Sequence, residues 1–155
     1  MQTIERLALT KLADTQNCAQ STFFALEQHF NLEGGPMLKA LSPFPGIALR
    51  GETCGAVTGG MLALGLVFGS DEGSVDIDAS SYGPVREFCQ RLEDLKGSLQ
   101  CSELLKQGIG KSIDFTSPIE LRDYSASNGP AFCAGIVKTA VQIAAEIIER
   151  ERGDR

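Results

Sequence analysis

The sequence predicts an all-α protein: a single-domain helical bundle of about six helices around one buried, glycine-rich central helix. Three observations lead there. Apolar residues recur at three- and four-residue spacing along most of the chain, the period of a helix buried on one face. Residues that favour a helix start stand ahead of those stripes, and glycine follows several of them. No stretch shows the convincing alternation of apolar and polar residues that marks a half-buried strand.

The first stripe is Ile4, Leu7, Ala8 and Leu12, ended by the polar run Asp14 to Asn17. Asn17 is placed to cap a second helix, Cys18 to Phe30, which carries Cys18, Phe23, Leu26 and Phe30 and stops at Gly34-Gly-Pro36. Pro36 to Leu41 reads as a short helical turn at most, and Ser42-Pro-Phe-Pro-Gly46 as a turn-rich loop. The central helix follows in Gly51–Gly69, uncharged from Thr53 onward, with Thr53 as its expected cap. Gly59, Gly60 and Gly65 each cost roughly 1 kcal/mol against Ala in a helix interior, so their use implies close backbone approach. Ser70 to Ala79 is acidic and reads as a solvated loop or lead-in. A further helix starts at Ser80 or Ser81, has Pro84 in its first turn, carries Val85, Phe88, Cys89, Leu92 and Leu95, and stops at Lys96-Gly97.

Ser98 is the expected cap of a short helix with Cys101, Leu104 and Leu105. Gln107 to Thr116 reads as loop, with a short strand as the other option, and Ser117-Pro118 as the start of a single turn through Tyr124. Asn128-Gly-Pro130 opens the last helix, which carries Cys133, Ile136, Val137, Ala140, Val141, Ala144, Ile147 and Ile148. No linker or repeat divides the chain, so residues 1–150 read as one domain and 151–155 as a charged C-terminal tail.

Composition narrows the function. A formal net charge of −6 with no basic cluster argues against a nucleic-acid partner. The apolar part of Gly51–Gly69 is shorter than the roughly 20 residues of a membrane span, and no signal peptide is visible at the start. The expectation is a cytoplasmic protein with no membrane partner. In a reducing compartment, five cysteines are not a structural disulfide framework.

Their placement carries the chemistry. Cys18 follows Asn17, Cys54 follows Thr53, Cys101 comes three residues after Ser98, and Cys133 five after Asn128. Four cysteines thus sit at or near predicted helix starts, where unpaired N–H groups and the helix dipole favour thiolate. Thiolate is the form that binds soft metals, attacks disulfides and ligates iron–sulfur clusters. The plain alternative is that cysteines behave as small buried hydrophobes. Spacings of 36, 47 and 32 residues match no local zinc or ferredoxin pattern, so a shared site would need tertiary structure to assemble it. Cys89, mid-helix beside Phe88, reads as core packing.

Cys54-Gly-Ala-Val-Thr-Gly59 fits the CGAxxG core of the C-GCAxxG-C-C family of redox-active proteins. Asn17-Cys18-Ala-Gln20 resembles that family's first cysteine segment, Cys101-Ser-Glu-Leu-Leu105 its third, and Cys133 corresponds to its last. The last segment departs from the family form, with Phe132 before Cys133 and no proline directly after it. The resemblance implies a small helical domain in which Cys18, Cys54, Cys101 and Cys133 form one redox-active site. A related domain in certain haem-containing cytochromes is associated with an iron–sulfur cluster, which makes [2Fe–2S] the first expectation for the cofactor here. Haem attachment is not expected, because Cys-x-x-Cys-His is absent. The alternatives are a metal-free thiol–disulfide protein, a structural zinc or sensor module on the same four thiols, and a helical interaction domain with buried cysteines. A redox partner protein is implied without being identified, and the Gly-rich apolar helix is compatible with a homodimer.

Other groups read as background. His29 lies ~16 Å from Cys18 along its helix and reads as a partly exposed surface residue. The acidic run Asp71 to Asp78 lacks an EF-hand register, and Gly108-Ile-Gly110-Lys-Ser112 lacks phosphate-loop spacing. Glu52 and Thr58 flank Cys54 and are candidates to hydrogen-bond or screen it.

Overall fold

In this computed structural model, residues 3–73, 75–76 and 80–153 are described. In chain order the helical elements are α1 (Ile4–Thr15), α2 (Cys18–Phe30), α3 (Gly35–Ala40), α4 (Gly46–Leu49), α5 (Gly55–Phe68), α6 (Tyr82–Lys96), α7 (Cys101–Ile109), α8 (Pro118–Ala126) and α9 (Gly129–Gly153). The class is all-α. Among the described residues there are nine helical elements rather than about six, and the only β feature is an isolated antiparallel bridge between Thr53 and Gln100.

The extra elements come from short segments that local sequence underrates. α8 runs over nine residues because Ser117 caps it, its hydroxyl accepting from the Glu120 N–H, with Pro118 at the first position. α7 continues through Gln107, Gly108 and Ile109, where a loop or strand was expected. A glycine is needed there because a Cβ on Gly108 would run into the ring of Phe132 from α9.

The core sits between α2, α5, α6 and α9. Phe23 and Leu26, Val57 and Leu64, Phe88 and Leu92, and Val137, Val141, Ile147 and Ile148 are its large, fully inaccessible side chains. Each contributes roughly 1.5–3 kcal/mol by leaving water. α5 earns its central place through small residues. A Cβ on Gly59 would collide with the Ala19 carbonyl of α2, and one on Gly60 with the Phe88 ring of α6. Gly65, by contrast, faces open space. A second, smaller cluster of Leu105, Ile113 and Tyr124 lies between α7, α8 and α9, with Phe115 and Cys133 against it.

α9 is long and apolar enough to cross a bilayer by length and composition, with mean hydropathy 1.6 over its most apolar window, half of which is buried against other helices. It continues to Gly153, so Glu151 and Arg152 are helical. Arg150 reaches back to α6, where both its terminal nitrogens bond the Glu87 carboxylate at 2.9 and 2.8 Å. Of the acidic run, Asp78 lies outside the described residues, and Asp71 and Glu72 are exposed.

Candidate functional site: a cysteine-lined cavity

Each of the four helix starts is built differently. Asn17 caps α2 as expected: its Oδ1 accepts from the Gln20 N–H at 2.9 Å, while its Nδ2 donates to the Ser42 carbonyl at 3.0 Å. The cap therefore also ties down the loop that leads to α4, and Cys18 falls at the first helical position.

Thr53 does not cap α5; Cys54 occupies the cap position and makes no side-chain cap bond. Thr53 is held instead by its bridge to Gln100. Around that bridge the Cys54 N–H donates to the Leu99 carbonyl at 2.8 Å and the Cys101 N–H to the Glu52 carbonyl at 2.7 Å. Two cysteines 47 residues apart in sequence are thereby fixed on paired strand-like segments, each at the mouth of its own helix. Ser98 is likewise not the cap of α7. Gln100 is, and Ser98 Oγ accepts from the Gln100 N–H one step earlier. Cys133 lies one turn into α9, whose entry is fixed by the Phe132 N–H donating to the Asn128 carbonyl.

The result is one cavity of about 450 Å³ lined by Cys18, Cys54, Cys101 and Cys133 together. Cys89 is not on its wall; it packs against the core from the middle of α6, and burial pushes its thiol up. His29 is also elsewhere, edge-on to Phe30 and 3.9 Å from Glu149. Glu52 pairs with Arg50 at 3.1 Å and contributes its carbonyl rather than its carboxylate. Thr58 donates to the Gly55 carbonyl at 3.1 Å.

The four thiols are not equivalent. Cys18 is held below the ordinary thiol range, chiefly by the hydrogen bond from the Cys54 thiol and then by the N–H groups of Gly55, Cys18 and Ala19, which together outweigh burial. Cys54 is pushed well up for the converse reason: it is the donor in that bond, and it is only 8% exposed. Burial, followed by the neighbouring charges of Cys18 and Cys133, pushes Cys101 up to about 12. Burial also raises Cys133, against the pull of a hydrogen bond from Tyr124. Gly55 is what allows Cys18 to sit where it does, since a Cβ there would lie 2.5 Å from Cys18 Sγ and 2.8 Å from the Ala19 nitrogen.

Two features of the wall escape sequence reasoning. The first is Tyr124, buried, edge-on to Phe115 at 4.9 Å, whose phenol pulls the Cys133 thiol down against burial. Its one sequence signal is indirect: Gly129 leaves the space its ring fills. The second is α4, which is a left-handed turn: Gly46, Ile47, Ala48 and Leu49 all have positive φ, from 52° to 62°. Such a run is costly for residues with a Cβ, about 1–2 kcal/mol each. It is held by the Ala48 N–H to the Pro43 carbonyl, the Leu49 N–H to the Pro45 carbonyl, and two N–H groups, of Arg50 and Glu52, on the Gly46 carbonyl. The turn brings Gly46 against Cys101, whose Cβ is 3.7 Å from where a Gly46 Cβ would stand.

As placed, no three His, Cys, Asp or Glu side chains among the described residues form a group that would hold a metal ion. The four thiols share the wall of one cavity.

Residues 16–147 match the sequence profile described as "Putative redox-active protein (C_GCAxxG_C_C)". The chain belongs to the C_GCAxxG_C_C family. Among curated proteins it is 28% identical over 148 residues to an uncharacterized protein of Archaeoglobus fulgidus, covering 90% of this chain and 89% of that one. No solved structure matches. Membership supports a redox function in general terms, and the cavity locates all four of the cysteines that the family resemblance singles out.

Proposed function

We propose that this C_GCAxxG_C_C protein is an electron-transfer module whose Cys18, Cys54, Cys101 and Cys133 hold an iron–sulfur cluster of the [2Fe–2S] form, which takes four thiolates. The observation that carries this reading is that cysteines from four helix starts, 32 to 47 residues apart in sequence, line one cavity while Cys89 does not. The donor set fits such a group in kind, since [2Fe–2S] centres take four cysteine thiolates. The same four thiols also match the donor set of a single zinc ion, and the experiment below separates the two. When bound, the cluster supplies a one-electron couple. The chain's own part is to present the sulfurs, donate N–H groups to Cys18 and a phenol to Cys133, and surround them with a wall whose described residues are uncharged. Hydrogen bonds to the sulfurs are a recognised means of setting the potential.

A second reading is favoured by Cys18 and Cys54 sharing the cavity wall with opposed thiol shifts, Cys18 held low and Cys54 pushed up. Cys18, the thiol held low, would attack an external disulfide and release one thiolate. Cys54 would then give up its proton and attack Cys18, forming an intramolecular S–S bond and releasing the second thiolate. Two protein thiols are oxidised and one external disulfide is reduced to two thiols.

Anaerobic purification or reconstitution decides between them. A brown protein with iron and acid-labile sulfide, bleached by dithionite, is the expected result; Cys54→Ser abolishes it and Cys89→Ser leaves it unchanged. Colourless protein with stoichiometric zinc would establish the zinc module instead. Metal-free protein that reversibly loses two thiols on mild oxidation would establish the disulfide reading.

A further inference from the structure

The cavity has more wall than four sulfurs account for. One side is built from α1 through Leu9 and Leu12, and its exposed leucines are Leu49 of the left-handed turn and Leu121 of α8, 43% and 42% accessible. None of these residues neighbours a cysteine in sequence. Among the described residues that line it there is no Asp, Glu, Lys, Arg or His, in a chain that is 22% charged. Among those described residues, Gln16 and Tyr124 are the lining side chains that carry hydrogen-bonding oxygen or nitrogen. At about 450 Å³ the space lies within the range of small-molecule sites, roughly 300–1,000 Å³, which are likewise mostly apolar with a few placed polar groups.

From this we infer that the cavity binds an uncharged, largely apolar small molecule alongside its sulfurs, and that this molecule is the site's electron-exchange partner. The binding stands on the wall alone; the exchange role rests on the redox reading above. The chemistry of the wall selects the class. A nucleotide or carboxylate would bring a charge against a wall whose described residues offer no cation to pair it, and burying an unpaired charge is costly. An apolar ring or short hydrocarbon body fits against Leu9, Leu12, Leu49 and Leu121, with Gln16 and Tyr124 to meet one polar substituent.

The test uses two dyes with the same ring system: N-phenyl-1-naphthylamine, which is uncharged, and its sulfonated relative 8-anilinonaphthalene-1-sulfonate. Fluorescence titration of the metal-free, reduced protein should show one saturable site for the uncharged dye and at least about tenfold weaker binding of the sulfonate, a difference of about 1.4 kcal/mol. Leu49→Lys and Leu121→Glu, both at exposed positions where folding is not at stake, should each weaken the uncharged dye about tenfold or more. For the exchange role, duroquinone, whose ring is fully methylated and so resists thiol addition, should oxidise dithionite-reduced, cluster-loaded protein, taking two electrons and two protons per quinone from two one-electron centres and solvent. The uncharged dye should inhibit that oxidation competitively. The inference is overturned if the uncharged dye fails to bind, if both dyes bind alike, or if the two variants bind as the parent does. It is also overturned if size-exclusion chromatography shows a dimer that Leu49→Lys or Leu121→Glu splits into dye-binding monomers, since a second copy would then be the occupant. Dye binding with no cluster formed supports the binding site and removes only the exchange role; a working cluster with no dye bound removes the inference and leaves the redox reading intact.

Discussion

At the scale of single residues, the unequal thiols give the site a direction. A donor aimed at a thiolate stabilises the charged form, so the Cys54 thiol and the N–H groups at the start of α2 and α5 pull Cys18 down while Cys54 itself is pushed up. In metal-free, reduced protein, Cys18 should therefore be carboxymethylated by iodoacetate at lower pH than any of its three neighbours. Cys101 should resist until the medium approaches its pKa of about 12. Replacing Cys54 by Ala removes the main donor, so the pH midpoint for Cys18 should move upward; peptide mass spectrometry across a pH series reads it directly. Tyr124→Phe is the matching experiment at the other side of the cavity. It keeps the ring against Phe115 and deletes the phenol, and the midpoint for Cys133 should rise with no change at Cys18. An unmoved Cys133 would mean the phenol does not act on the sulfur.

At the scale of elements, the same glycine-rich helix makes opposite demands at different positions. Gly55→Ala puts a Cβ 2.5 Å from Cys18 Sγ and 2.8 Å from the Ala19 backbone nitrogen, and backbone cannot swing away. The expected loss is about 1–3 kcal/mol, as for other overpacked positions, together with failure to assemble the site. Gly65→Ala meets nothing within 4 Å and should stabilise the helix by up to about 1 kcal/mol. Urea denaturation of the two variants checks both signs. In α4 the sign is again fixed by the backbone. Ala48 is exposed with φ 57° and ψ 40°, so Ala48→Gly relieves left-handed strain of about 1–2 kcal/mol and gives back about 0.5–1 kcal/mol in chain entropy. A small net stabilisation is expected, and a loss would show that the Ala48 methyl has a packing role.

These elements also show where sequence is informative. The stripes of α1, α2, α6 and α9 were legible because each is long enough for its period to repeat, and Asn17 was legible as a cap because its side chain has one obvious use there. Thr53 and Ser98 were misread for a shared reason: the bond that decides both, the bridge of Thr53 to Gln100, joins residues far apart in sequence. The left-handed turn was invisible because Ile47, Ala48 and Leu49 are residues that avoid positive φ, and only the hydrogen bonds of the folded loop hold them there. Tyr124 was missed because its partner, Cys133, lies on another helix.

For the whole molecule, the cavity concentrates buried acids in one place, and this ties stability to pH. Cys54, Cys101 and Cys133 all have folded-state pKa values above the ordinary thiol value of about 8.5. For a group raised on folding, its stabilising contribution is complete below the unfolded pKa and is lost as pH climbs toward the folded one. Cys18 runs the other way: its contribution is complete above the unfolded pKa and is lost only as pH falls through its lowered folded value. The three raised thiols, joined by Cys89 outside the cavity, whose thiol burial also raises, make the reduced, metal-free protein lose stability from about pH 8.5 upward, into the region of 12 for Cys101. Each fully excluded ionisation costs up to about 1.4 kcal/mol per pH unit, less for thiols that water partly reaches. Melting temperature measured under reductant and chelator should fall over that interval, and Cys101→Ala should flatten the fall. Filling the site reverses the dependence, because ligated sulfurs are already deprotonated. Cluster-loaded protein should therefore keep its melting temperature well above pH 8.5 and lose it on acidification, as protons compete for the sulfurs. If loaded and empty proteins followed the same pH curve, the four cysteines would not be the atoms that hold the cluster.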